Sequence, residues 1–107
     1  MTDPIAPLQM LAGSNHFDSS SPSWTLLGPP SDGTDREFSA RIDFERDFAV
    51  PPVVHVGVAG LDADGTGTVR LRVRARHIDC TGFTILVSTW FDSQVHGVDV
   101  SWLALGS

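Results

Sequence analysis

Along residues 38–45 apolar and polar side chains alternate with a period of two. Phe38, Ala40, Ile42 and Phe44 fall on one side, and Ser39, Arg41, Asp43 and Glu45 on the other. That period predicts a strand with one buried face. It returns at 69–76, where Val69, Leu71, Val73 and Ala75 alternate with four arginines at 70, 72, 74 and 76. Between the two, Phe48-Ala49-Val50-Pro51-Pro52 breaks the first run, and VVHVGVA at 53–59 reads as a further strand. FTILVSTW at 83–90 and residues 95–105, with Trp102 inside, read as two more, joined by 91–93. Residues 1–22 form a lead-in segment with one short strand around 8–12, followed by the polar GSNHFDSSSPS. A short apolar piece at 24–27 ends at Gly28-Pro29-Pro30.

The connections carry turn chemistry. PPSDGTDRE at 29–37 combines Pro, Gly and side chains that bond their own backbone, and predicts an exposed loop. LDADGTGT at 61–68 predicts a hairpin loop, and 77–82 a second turn. No stretch of about ten residues carries an apolar stripe at helical spacing. About six strands in ~100 residues predict one all-β domain over 1–107, a six-stranded antiparallel β-sandwich.

Composition narrows the function. The 107 residues hold 41% hydrophobic side chains, enough for a core. No apolar run approaches the ~18 residues of a membrane helix. Thirteen acidic residues against seven basic ones, all of them Arg, give a net charge of −6. That balance argues against non-specific nucleic-acid binding and against anionic membranes. The lone Cys80 excludes an internal disulfide framework and a cysteine-rich zinc site. Met1 to Gly13 lacks the basic start and unbroken apolar core of a signal peptide.

Catalytic and metal signatures are weak. No Ser lies in a nucleophile elbow, and the four histidines at 16, 55, 77 and 96 lack zinc-ligand spacing. Asp62-Ala63-Asp64-Gly65-Thr66-Gly67 begins like a calcium loop but lacks the closing Glu, so a turn explains it as well. These features point away from an enzyme and from a metal or other cofactor. Two others point toward binding. Four arginines on one strand face repel one another unless acids, a partner subunit or a polar ligand interleave, and each of these remains open. At the end of the fifth strand, Trp90 and Phe91 are adjacent, and alternation sends them to opposite faces. An exposed aromatic beside Asp92, Gln94 and His96 is the chemistry of a sugar site, with a flat apolar plate and polar groups for hydroxyls. A strand-end aromatic that caps the core is the competing account.

Read in order, these segments resemble the H-type lectin domain of snail agglutinins and discoidins. The resemblance rests on Ile42-x-Phe44, Phe48-x-x-Pro51-Pro52-Val53-Val54, Leu61-Asp62, Arg72-Val73-x-Ala75, Thr81-Gly82-Phe83, Thr89-Trp90 and Val100-Ser101-Trp102-Leu103-Ala104, over about residues 24–105. It implies a sandwich that assembles as a homotrimer, in some members a stacked hexamer. It also implies a metal-independent site for galactose or N-acetylgalactosamine where two subunits meet. Carried onto this chain, the site takes Arg72, Trp90, Phe91, His96 and a loop acid, Asp32, with Asp35 as the alternative. Phe91 replaces a frequent His and His96 a frequent Tyr. The expectation is a non-catalytic lectin that recognises terminal glycan residues multivalently, as in cell adhesion, in an extracellular or surface-associated setting. The alternative is a structural trimerising or spike module with a degenerate sugar site.

Overall fold

A computed structural model describes residues 8–29, 33–64 and 68–107. Six strands run β1 (Gln9–Asp18), β2 (Arg36–Asp43), β3 (Val53–Ala63), β4 (Arg72–Arg76), β5 (Gly82–Thr89) and β6 (Val95–Gly106). They form two antiparallel sheets of three, ordered β1-β6-β3 and β2-β5-β4, and no helix occurs among the described residues. The predicted all-β, two-sheet architecture is therefore the observed one.

The alternating residues supply the layer between the sheets. Phe38 of β2, Phe83, Ile85 and Val87 of β5, Val98, Val100 and Ala104 of β6, and Leu11 of β1 are buried. Burial of this kind stabilises by about 1.5–3 kcal/mol per large side chain. Phe44, Phe83 and Trp102 pack together, with Phe83 and Trp102 edge to face at 5.3 Å between ring centroids. A second group joins Phe17 and Trp24 to Phe38.

Three elements differ from the alternation-based expectation, each for a physical reason. The first strand is ten residues long and takes in Gly13 to Asp18. Its inward positions include Gly13, where a side chain would meet the Trp102 ring at 2.6 Å, and Asn15, whose Oδ1 accepts from Trp102 Nε1 at 3.1 Å. Small and polar residues thus occupy core-facing positions because a tryptophan fills the space. The third strand runs on to Ala63 through register shifts at Val58/Gly60 and Asp62/Ala63, so 61–63 are strand rather than hairpin loop; residues 65–67 of that predicted loop lie outside the described residues. The fourth strand starts only at Arg72. Just before it, Ser93 Oγ accepts from the Arg70 amide at 2.9 Å and the Thr89 hydroxyl donates to the Arg70 carbonyl, so side chains replace the ladder there.

The apolar piece at 24–27 forms no strand. It closes the sandwich beside the start of β6: Leu26 is fully buried, its carbonyl accepts from the Val95 amide, and Trp24 Nε1 donates to the Val95 carbonyl at 3.0 Å.

Candidate functional site

Arg72 opens β4 opposite Ser88 of β5 and points away from the core. Its guanidinium lies over the Trp90 ring, 4.9 Å from the centroid, and Nη1 stands 3.7 Å from Asp35 Oδ2. Two residues earlier, Arg70 repeats the arrangement: its guanidinium lies 4.9 Å over Phe91, and Nη1 donates to Asp92 at 3.1 Å. The result is a platform of two stacked arginine–aromatic pairs with carboxylates at its margin. Stacking restrains each guanidinium plane while its edge donors stay available.

Adjacent aromatics on an extended strand would part to opposite faces, but Phe91 does not follow the strand. Its φ is +57°, in the left-handed region, which is strained for a bulky residue and concentrates at functional sites. The turn brings Phe91 under the same arginine row as Trp90 and leaves it 42% exposed. Gly33, itself at φ +103°, lies against the Phe91 ring, and a Cβ there would sit 3.3 Å from it.

The connector that carries these aromatics is held from several sides. Arg36 Nη2 donates to the carbonyls of Phe91 and Ser93. Ser93 Oγ donates to the Thr68 carbonyl at 3.1 Å. Gln94 both accepts from the Gly28 amide and donates to its carbonyl. Arg36, Ser93 and Gln94 thus position the site; the sequence marks Gln94 as a polar neighbour of the aromatics, and nothing in the local pattern singles out Arg36 or Ser93. Ser93 sits in a plain connector, and Arg36 at the end of a turn-rich loop.

Of the sequence-derived candidates, Arg72, Trp90 and Phe91 converge on this platform, joined by Asp35. Asp32, the first choice for the loop acid, lies outside the described residues. His96 lies elsewhere. Its Nε2 is 2.8 Å from Asp64 Oδ1, and it lines a cleft of about 540 Å³ with Asp18, Ser19, Ser20, Asp62 and Asp64. Among the described residues no group of three or more His, Cys, Asp or Glu side chains is arranged to hold a metal ion.

The same end of the β1-β6-β3 sheet carries a bridging histidine. His16 Nδ1 is 2.6 Å from Asp99 Oδ1, and Nε2 is 2.9 Å from Asp18 Oδ2. These contacts, Asp99's first and Asp18's second, raise the His16 pKa above 6.5. Asp18 is held at about 2, chiefly by the Ser20 hydroxyl and amide and then by His16. Asp79, bonded first by Thr81 and then by Arg41, is likewise held at about 2. A raised imidazole stabilises fully below 6.5 and loses that contribution as pH climbs through its folded pKa. The lowered carboxylates contribute above 3.8 and lose their effect as pH falls toward about 2. All three therefore act in full between 3.8 and 6.5. The Tm should fall as pH rises above 6.5, and the fall should be smaller in His16→Gln. Equal slopes in calorimetry of the two proteins would rule out this linkage.

The platform sits where the sheet order and the chain pattern meet a known family. The profile of the H-type lectin domain matches residues 39–105, from within β2 almost to the end of β6. The chain belongs to the H-type lectin domain family. It is thus a carbohydrate-binding domain by kinship, and the matched span contains Arg72, Trp90, Phe91 and His96. A protein of Fuscovulum blasticum described as "ATP synthase subunits region ORF 7" is 34% identical over 84 residues, which are 78% of this lectin domain's chain and 68% of that protein. The recombinant discoidin II of Dictyostelium discoideum shares the fold with a TM-score of 0.78 over 98% of this chain, at 20% identity. Wild-type discoidin II gives the same score over 96%. The H-type lectin chain spans 39% of the discoidin II chain, so the likeness is to one part of that protein.

Proposed function

We propose that this H-type lectin domain is a non-catalytic, metal-independent sugar-binding module that recognises terminal galactose or N-acetylgalactosamine on glycans at the Arg72–Trp90 platform. The observation that carries this reading is the Arg72 guanidinium stacked on Trp90 beside the Asp35 carboxylate. A sugar hydroxyl both donates and accepts, so a fork of donors next to a carboxylate matches a pair of neighbouring hydroxyls. At 3.7 Å the Arg72–Asp35 contact is loose enough for hydroxyls to compete for both groups. The exposed Phe91 ring adds an apolar plate without a donor of its own.

The domain acts as a homotrimer, the assembly its family resemblance implies. Within one chain His96 lines a different cleft from the platform, and in this reading the His96 of a neighbouring subunit completes the site. Single open sites of this kind bind at about millimolar to high-micromolar Kd, or ~4–6 kcal/mol. Linked sites on a glycan-coated surface gain about 100-fold or more in avidity. The setting we assign is extracellular or surface-associated.

A glycan array with light scattering on the purified protein tests this. The expected result is a species of three or six chains whose binding to galactose-type glycans is competed by the free sugar. A trimer that binds nothing on the array would overturn the lectin reading in favour of a structural trimerising unit.

A further inference from the structure

The arginine row does not end at the platform. Arg74 and Arg76 continue β4 on the same outward face as Arg72, and both are exposed. Alternate residues on a strand are about 6.6–6.8 Å apart, so the three guanidiniums span roughly 13 Å, the length of a short oligosaccharide. The cross-strand neighbours of Arg74 and Arg76 are uncharged or basic. Arg74 lies opposite Leu86 and, beyond it, Ser39; Arg76 lies opposite Thr84 and, beyond it, Arg41. Glu37 sits in the Arg72 row, across Ser88. The Arg41 guanidinium is already engaged by both carboxylate oxygens of Asp79, at 3.0 and 3.1 Å. Among the described residues neither Arg74 nor Arg76 makes an ion pair or side-chain hydrogen bond, whereas Arg70 and Arg72 have Asp92 and Asp35.

This arrangement runs against the rest of the molecule. A chain with thirteen acids and a net charge of −6 places three of its seven arginines within five residues, and among the described residues two of these three have no counter-ion. Like charges stacked along one strand face destabilise it. A ligand that carries anionic groups at matching intervals removes that cost, and the guanidinium fork binds sulfate and carboxylate through paired donors.

We infer that Arg74 and Arg76 form a subsite for acidic glycans, which binds sulfate or carboxylate groups on the sugars that follow the terminal residue held by Arg72 and Trp90. This inference rests on the lectin reading, because the terminal residue fixes where the chain starts along β4.

The test is titration of the wild type and of Arg74→Gln/Arg76→Gln with three probes: neutral N-acetyllactosamine, an unsulfated chondroitin oligosaccharide ending in N-acetylgalactosamine, and its sulfated counterpart. For the wild type the expected result is an acidic ligand bound about ten-fold tighter than the neutral one, from two charge-assisted contacts screened by solvent. That gain should vanish in the double variant and in high salt, while neutral-ligand affinity stays unchanged. A gain for both chondroitins assigns the site to carboxylate, and a gain for the sulfated one alone assigns it to sulfate. Either result upholds the inference. Binding of acidic but not neutral probes, lost in the double variant, upholds the subsite and removes the terminal-galactose preference. Equal affinity for neutral and acidic probes overturns the subsite and leaves the lectin reading standing. Loss of the native assembly in the double variant, read by light scattering, overturns it in favour of a subunit contact. Binding of none of the three overturns the lectin reading and the subsite together.

Discussion

Replacing Phe83 with Ala is expected to destabilise the domain by about 3–5 kcal/mol. Phe83 is the second residue of β5, the central strand of its sheet, is fully buried, and packs against the Phe44 ring beside it and the Trp102 ring of the facing sheet. Its removal deletes the transfer term of an aromatic ring and leaves a cavity whose rigid aromatic walls cannot collapse into it. A domain of this size is stable by about 5–15 kcal/mol in total, so the change removes a large share of it. Urea titration should show a much lower midpoint with the slope preserved. Val53→Ala is the control. Val53 is 76% exposed on the opposite sheet, and its loss should stay within about 0.5 kcal/mol. Comparable effects from the two would mean that the core lies elsewhere.

The strands that could be read in advance are those whose inward positions are all apolar. Phe38, Ala40 and Ile42 on β2 and Val73 and Ala75 on β4 show their period of two directly. The first strand does not, because its inner face is partly built by Trp102 of β6 reaching over Gly13 and by the Asn15 amide that receives the indole N–H. Burial there is decided by a residue about ninety positions away, which local periodicity cannot report. The third strand hides its length for another reason. Its register shifts at Gly60 and Ala63 break the alternation, and Asp62 and Asp64 then look like turn residues.

The site divides in the same manner. Trp90 is legible as a strand-end aromatic and Arg72 through the family resemblance of Arg72-Val73-x-Ala75; in the fold, pairing of Arg72 with Ser88 brings it within reach of Trp90 two residues on. Phe91 was legible as an aromatic but not in its direction, since that depends on a left-handed backbone set by the connector and by Gly33. Arg36 could not be found from the sequence. Its role is to donate to carbonyls of the connector, and carbonyls leave no mark in the pattern of side chains. The assignment of His96 to the site rests on the family resemblance, in which it stands at a position that is often Tyr. In the folded chain the start of β6 has already crossed to the other sheet, where the imidazole meets Asp64. Within the chain the two sheets therefore share the predicted residues between two clusters, Arg72, Trp90 and Phe91 at the platform and His96 beside Asp64.

Trp90→Ala should remove measurable glycan binding. The indole supplies the surface on which Arg72 lies, so truncation removes an apolar plate and also frees the guanidinium to sample rotamers. A buried or half-buried Trp of this kind is worth about 2 kcal/mol or more at a binding site, close to a 30-fold change. On a site that begins at about millimolar to high-micromolar affinity, that change places a single site beyond titration. Arg72→Ala should have the same outcome through loss of the donors, and Arg72→Lys should recover only part of it, because a point charge cannot reproduce a planar fork. Both readouts are needed. Avidity of about 100-fold across linked sites can hide a moderate defect in agglutination, so a monovalent titration has to accompany it. Circular dichroism and light scattering should match the wild type, because Trp90 is only partly buried and lies just past the end of β5. If the folded Trp90→Ala protein agglutinates glycan-bearing cells and titrates as the wild type does, the sugar does not bind at this platform. The acidic cleft around His96 would then be the next place to look for it.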